Sequence, residues 1–279
     1  MEEVESYYDK KSEKYDEIFS TLYFKVYDAI TWKYLEPHVP TDPDALVLDA
    51  GGGTGRWAIR IAAKGCKVVL IDSSEKMLKA ADKKAKENGF QHKVILKKGD
   101  IAKTGYADET FDMILCEHAL FLFKEPDAVI KELKRILKKK APLIISAQNR
   151  YVQALSSLAG KPSVDNVERA FKVLVSQEHE CMTKDGKVKI YTWTPQEFRV
   201  MLERNGLRVE KMVGKVVTMP LRVRQEFFME KKHSEDLVNK ILQFELALRK
   251  TRRAGTGRTL AGNSLQALMC SEKAIAPFI

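Results

Sequence analysis

Cysteine is sparse and dispersed. The 279-residue chain has 4, at Cys66, Cys116, Cys181 and Cys270, with no Cys-x-x-Cys pair and no histidine at metal-binding spacing. A structural zinc therefore has no ligand set, and no metal is expected. Cys66 and Cys116 stand at the edges of apparent strands, where a buried free thiol is expected. Long apolar runs are missing too: none approaches the about 18 residues of a membrane span. The first residues, Met1-Glu2-Glu3-Val4-Glu5, are acidic where a secretory signal would be basic and then apolar, so a cytoplasmic protein is expected. Acidic residues are in deficit, 38 against 48 Lys and Arg, which leaves a net charge of +10. That balance admits a nucleic-acid partner. Lys79, Lys83, Lys84 and Lys86, however, read as the solvated face of one helix. An apolar fraction of 44% is enough for a substantial core.

Glycine is concentrated in one place. The stretch Val47 to Ala62, VLDAGGGTGRWAIRIA, begins as the end of an apolar run from Ala45 to Leu48 that reads as a buried strand. It stops at Asp49, passes through Gly51, Gly52, Gly53 and Gly55, and resumes with Trp57, Ala58, Ile61 and Ala62 on one helix face. Glycines at a strand-to-helix turn permit positive φ and bring the backbone close to a ligand facing the helix N-terminus. A Walker loop would need Gly-Lys-Ser/Thr, and Arg56-Trp57 stands there instead. A dinucleotide pattern can be forced from Gly53, Gly55 and Ala58, which keeps an NAD(P)-dependent oxidoreductase as a rival. Asp49 argues against it: a carboxylate at the loop's mouth repels a pyrophosphate and suits a ligand carrying an ammonium and a sulfonium.

The segment Asp49-Ala-Gly51-Gly-Gly53-Thr-Gly55 resembles the first motif of the class I S-adenosylmethionine-dependent methyltransferases, and the chain is similar to the type 11, quinone-biosynthetic kind. The resemblance implies an α/β fold: a Rossmann-like, doubly wound seven-stranded sheet, mostly parallel with an antiparallel last strand. It also implies N-terminal helices, inserted cover elements and S-adenosyl-L-methionine as cofactor. Asp72-Ser-Ser-Glu-Lys-Met77-Leu matches a second family stretch. A carboxylate at that strand end can accept both ribose hydroxyls, and Ser73 lies beside it while Met77 is offered to the adenine. The order and spacing of Gly99-Asp100-Ile101 imply an adenine contact through Asp100 and Ile101. The stretch Phe111-Asp112-Met-Ile-Leu115 leads to a cofactor edge at Cys116 and Glu117, with His118 opening the mouth of the active site. In place of the family's Pro-Gly-Gly turn the chain has Lys138-Lys-Lys-Ala-Pro142, a departure far from the ligand.

Strands at 45–48, 67–71, 94–97, 111–115 and 143–146 alternate with helices at 56–62, 75–88 and 127–138, which predicts a parallel sheet with right-handed crossovers. Asp49, Asp72, Asp100 and Glu117 all fall at carboxyl ends of strands, where such sheets bind ligands. The domains read as residues 1–38, a tyrosine-rich helical segment over the cofactor site, and 39–279, the methyltransferase domain. Insertions are expected at about 148–193 and 218–262. In the resemblance YYDKKSEKYDEIF matches a segment that folds over the cofactor, which puts Tyr15 at the site. In the first insertion, 182–190 reads as a hairpin about Asp185-Gly186. Thr194, Pro195 and Glu197 open a helix that Gly206 stops. Strands follow at 207–217 and 264–270. The second insertion holds a helix starting near Ser234 and the basic residues Arg249, Lys250, Arg252, Arg253 and Arg258, read as a solvated end without interleaved aromatics.

The expected function is methyl transfer to a small-molecule acceptor. RNA, such as tRNA, is the alternative acceptor, and a non-catalytic cofactor-binding protein is a third reading. Catalytic candidates by position are His118 and Tyr191, with Glu117, His179 and Tyr151 also open.

Overall fold

Successive side chains of a strand point to opposite faces, so an unbroken apolar run needs cover on both. Leu46–Ala50 (β1), Lys67–Asp72 (β2), Met113–Cys116 (β4) and Pro142–Asn149 (β5) are such runs. The computed structural model describes residues 2–12, 14–158, 163–183, 186–215, 234–251 and 264–270. In it these strands pair in parallel, joined at one edge by Val94–Lys98 (β3), in the order β3-β2-β1-β4-β5. Ser264–Cys270 (β9) then lies antiparallel to β5 along Pro142–Gln148, and Arg208–Lys215 (β8) lies antiparallel to β9. Seven of the sheet's nine described strands thus form a doubly wound α/β core in which β9, the last described strand, is the reversed one, as the sequence leads one to expect.

Alternation distributes the core between two layers. Leu48, Ile71, Ile114 and Ile145 face Val129 and Leu133 of Pro126–Ile136 (α5) and Phe198 and Leu202 of Pro195–Arg204 (α8). Val47, Leu70, Leu115 and Ile144 face Ala58 and Ile61 of Arg56–Ala62 (α3), and Leu78 and Ala81 of Glu75–Glu87 (α4). Each buried Leu or Ile contributes about 1.5–3 kcal/mol. The helix ends follow local chemistry: Ser74 Oγ accepts from Met77 N, and Thr194 and Glu197 form the reciprocal capping box.

Three N-terminal elements sit against this sheet: Glu2–Lys11 (α1), a 3₁₀ turn at Tyr15–Ser20, and Leu22–Leu35 (α2). Asp9 Oδ1 accepts from Ser74 Oγ at 2.5 Å and Glu5 Oε1 accepts from Lys98 Nζ at 2.7 Å, so α1 is pinned beside the carboxyl ends of β2 and β3. Leu22, Tyr23, Val26, Tyr27 and Ile30 of α2 form a third apolar cluster with Leu237, Val238, Ile241 and Leu242 of Glu235–Thr251 (α9). Leu237 N donates to Ser234 Oγ at 3.2 Å, which caps α9. Of the basic 249–258 stretch, only the backbone to Thr251 falls within the described residues.

Between β5 and α8 the chain forms Arg150–Ser157 (α6), Val164–Val175 (α7) and the hairpin Glu178–Thr183 (β6) with Gly186–Trp193 (β7). Helix α6 starts directly off β5, with Asn149 Oδ1 accepting from Tyr151 N. Strand β7 meets β5 in parallel at Gln148 and Asn149, past the last β4 pairing at Ile145. Thr183 pairs with Gly186, so Gly186 belongs to the strand; Lys184 and Asp185 lie outside the described residues. No helix among the described residues is long and apolar enough to cross a membrane.

Candidate active site

The glycine loop is held from below and open above. Gly51 N and Gly52 N both donate to Ile71 O, at 2.8 and 3.2 Å, which ties the loop to the end of β2. Gly51 and Gly53 have φ of +72° and +54°. A Cβ at Gly51 would stand 2.5 Å from Ala119 Cβ, whereas one at Gly53 would meet only the Tyr15 ring, at 3.9 Å. Gly53 therefore borders open space. Its N–H donates to Asp72 Oδ2 at 2.9 Å, and Ser74 N donates to Asp72 Oδ1 at 2.9 Å. Burial raises the Asp72 carboxyl above its usual range, and these two amides work against that rise.

That open space is a cleft at the carboxyl ends of β1, β2 and β4, with about 550 Å³ of empty volume that includes open solvent. Of the residues singled out in the sequence, Tyr15, Gly51, Gly53, Asp72, Ser73, Met77, Ile101 and His118 line it. Burial pushes the Tyr15 phenol up to about 12, with Arg56 opposing and Asp72 adding to the rise, so the hydroxyl stays protonated at neutral pH. Val4, Tyr8, Gly99, Ala119, Leu122 and Phe123 complete the wall without having been singled out. Tyr8 meets the Tyr15 ring edge to face, centroids 6.0 Å apart.

Seven expected or candidate site residues do not line the cavity. Asp49 is 1% exposed and lies beneath the loop, and its Oδ2 has no partner among the described residues. Burial pushes its carboxyl up to about 7, against the Ala58 amide and Arg56. Asp100 is exposed, and its Oδ1 accepts from Ala102 N at 2.8 Å, closing a turn. Cys116 is fully buried in the sheet, and burial raises its thiol. Tyr191 sits on the hairpin, where its hydroxyl faces Glu178 at 3.4 Å. His179 is also on the hairpin, its Nε2 2.8 Å from Thr192 Oγ1, and Tyr151 is exposed on α6.

Glu117, the last of the seven, belongs to a buried polar cluster behind the cavity that joins three remote parts of the chain. Tyr27 Oη, from α2, donates to Glu117 Oε1 at 2.7 Å. Lys215 Nζ, from the end of β8, donates to the same carboxylate oxygen at 2.6 Å and to Tyr27 Oη at 3.0 Å. His118 Nε2 lies 2.7 Å from Tyr27 Oη. Burial would raise Glu117, but Lys215, His118 and the two hydrogen bonds hold it below its usual range. Lys215 is lowered by burial while Glu117 works the other way. Burial lowers His118 to about 4, with Glu117 opposing. The residue stands at φ +58°, its amide donating to Ser146 Oγ at 2.9 Å. A non-glycine residue in that region costs energy and points to a functional constraint. The one sequence signal for Lys215 was a lysine inside an otherwise apolar run, Met212-Val-Gly-Lys-Val-Val.

With the site in place, the comparisons decide the family. Residues 41–206 match the family model described as "Methyltransferase domain". The chain belongs to this methyltransferase family. A curated relative, the demethylmenaquinone methyltransferase of Anoxybacillus flavithermus, is 31% identical over 141 residues, 49% of this chain and 58% of that enzyme. The chain thus spans little more than half the length of that relative. The tRNA 5-carboxymethoxyuridine methyltransferase of Escherichia coli is 24% identical over 244 residues, 85% of this chain and 87% of that one. Among solved structures, a candidate S-adenosylmethionine-dependent methyltransferase from Listeria monocytogenes superposes with a TM-score of 0.62 at 19% identity. That match covers 88% of this chain and 98% of the other and concerns the fold.

Proposed function

We propose that this methyltransferase-family protein transfers a methyl group from S-adenosyl-L-methionine to a small-molecule acceptor. The observation that carries the reading is the composition of one cavity: the glycine loop and Asp72 form one side, Val4, Tyr8, Leu122 and Phe123 lie on its wall, and no lysine or arginine is among its lining residues. When bound, the cofactor supplies a methyl carbon already activated by a sulfonium. The chain's own residues then have four tasks. Asp72, fixed by two amides, accepts the ribose hydroxyls. Gly53 leaves the loop without a side chain on the cavity side. Met77 and Ile101 offer apolar surface to the adenine. Val4, Tyr8, Leu122 and Phe123 exclude water and orient the acceptor. Good alignment of two reactants supplies about 7–11 kcal/mol of barrier reduction. The acidic Asp49 side chain beneath the glycine loop disfavours a pyrophosphate above it, and with it a nicotinamide enzyme.

Isothermal titration calorimetry with S-adenosylhomocysteine tests the cofactor assignment. Saturable binding is expected, and its absence together with binding of NAD would overturn the reading. An RNA acceptor is the second reading, favoured by the 85% coverage of the tRNA-modifying relative and by the net charge of +10. It predicts binding to bulk tRNA that weakens steeply with salt. The small-molecule reading predicts labelled methyl in the metabolite fraction of a cell extract.

A further inference from the structure

The cluster behind the cavity determines which nitrogen of His118 carries its hydrogen. Glu117, held ionised by Lys215, has no proton to give, so the only proton between Glu117 Oε1 and Tyr27 Oη is the tyrosine's. Tyr27 therefore donates to Glu117, and the two oxygens would otherwise face each other as acceptors at 2.7 Å. With its hydrogen committed, Tyr27 Oη meets His118 Nε2 as an acceptor, and the hydrogen in that contact belongs to the imidazole. Lys215 Nζ donates to the same Tyr27 oxygen at 3.0 Å, which also keeps it an acceptor. The neutral ring is thus the Nε2–H form, and its lone pair sits on Nδ1. His118 lines the cavity with its side chain 22% exposed. With Nε2 turned to Tyr27, Nδ1 is the ring nitrogen left for a ligand in that cavity.

We propose that His118 Nδ1 accepts the proton of the methyl acceptor, that Tyr27 is the positioning residue that fixes this tautomer, and that the acceptor carries a phenol- or enol-type hydroxyl. The inference rests on the methyl-transfer reading above. The hydroxyl oxygen forms its bond to the methyl carbon, the carbon–sulfur bond breaks with its electron pair returning to sulfur, and the hydroxyl proton passes to Nδ1. The resulting imidazolium keeps Nε2–H on Tyr27 and lies 3.8 Å from the Glu117 carboxylate, which stabilises the positive charge. The exposed side of the ring then returns the proton to water. A ring-bearing acceptor matches the wall built from Tyr8, Leu122 and Phe123. A buried neutral imidazole is too weak a base for an alkylammonium, whereas an acidic hydroxyl releases its proton as the O–CH₃ bond forms.

The test is nitrogen NMR on protein labelled with ¹⁵N-histidine, with the His118 signal assigned from His118→Asn. At neutral pH the free protein is expected to show His118 as a single Nε2–H tautomer, and Tyr27→Phe to shift it towards a mixture. In the S-adenosylhomocysteine complex, 2-naphthol is expected to move the Nδ1 signal and naphthalene to leave it in place. An Nδ1–H form or an imidazolium in the wild-type protein overturns the proposal. So does a naphthol complex in which Nδ1 does not move, or moves no more than with naphthalene. The tautomer is read without cofactor, so failure of S-adenosylhomocysteine to bind would count against the methyl-transfer reading and not against the tautomer lock.

Discussion

Gly53 N–H donates to Asp72 Oδ2 at 2.9 Å, so the loop that follows β1 is held by the carboxylate that ends β2. One bond couples the shape of the glycine turn to the group proposed to receive the ribose. Replacement of Asp72 by Asn keeps the volume but removes the charge from both acceptor positions. Hydrogen bonds to a charged group contribute about 1.5–3 kcal/mol, so affinity for S-adenosylhomocysteine should fall about 10- to 100-fold. Calorimetry reads this directly, and unchanged affinity would remove Asp72 from the proposed site.

Gly51 is required for two separable reasons, its φ of +72° and the 2.5 Å approach of Ala119 Cβ. Gly51→Ala should destabilise the protein by about 1–3 kcal/mol, the usual cost of a strained backbone position. Ala119→Gly removes the clash but not the dihedral strain. The double variant should therefore recover part of the loss in urea denaturation, and the unrecovered part measures the strain. Full recovery would show that contact alone excludes a side chain.

Lys215 and Glu117 are 0% and 1% exposed and lie 2.6 Å apart. Removal of one partner leaves the other as an uncompensated buried charge, at a cost of about 3–5 kcal/mol. Lys215→Met should show this loss, and Lys215→Met combined with Glu117→Gln should lose clearly less. Additive losses would mean that the pair is not coupled. The cluster also spans α2, the strand β8 and the turn after β4, so its loss should loosen the N-terminal helices in hydrogen exchange.

The strand ends were legible in the sequence because their signals are local. A glycine turn, an acid after an apolar run and a capping serine each show within a few residues, and Gly51, Gly53, Asp72, Met77 and Ile101 converge on one cavity as that spacing implies. Groups brought in by packing were not legible. Val4 and Tyr8 line the cavity because Asp9 and Glu5 pin α1 to Ser74 and Lys98, a relationship across more than 60 positions. Tyr27 and Lys215, 188 positions apart, carry no local mark of meeting. Helices α6 and α7 were not assigned in advance. The first starts at Arg150, directly after the last residue of β5, without the Gly or Pro that usually separates elements. The second leaves Val164, Val167, Phe171 and Leu174 exposed, so its period marks no core face.

Asp49 and His118 give the site two titrations that oppose each other. Burial lifts Asp49 from its usual 3.8 to about 7, so the folded protein binds more protons there than the unfolded chain between those values. Stability from this group is present below about pH 4 and is lost as pH rises through 7. Burial lowers His118 from 6.5 to about 4, so the unfolded chain binds more protons between pH 4 and 6.5, and this contribution grows as pH rises. Each pKa unit corresponds to about 1.4 kcal/mol, so either effect reaches a few kcal/mol and the two largely cancel between pH 4 and 6.5. Asp49→Asn should therefore gain stability relative to wild type as pH rises from 4 to 7. His118→Asn should lose stability relative to wild type from 4 to 6.5. Urea denaturation of the three proteins at pH 4.5, 5.5 and 6.5 reads both slopes, as differences in which every other titrating group cancels. Parallel curves for Asp49→Asn and wild type would show that the carboxyl beneath the glycine loop keeps an ordinary pKa. The loop would then be poised for a cation by charge already present, rather than by charge that appears when one binds.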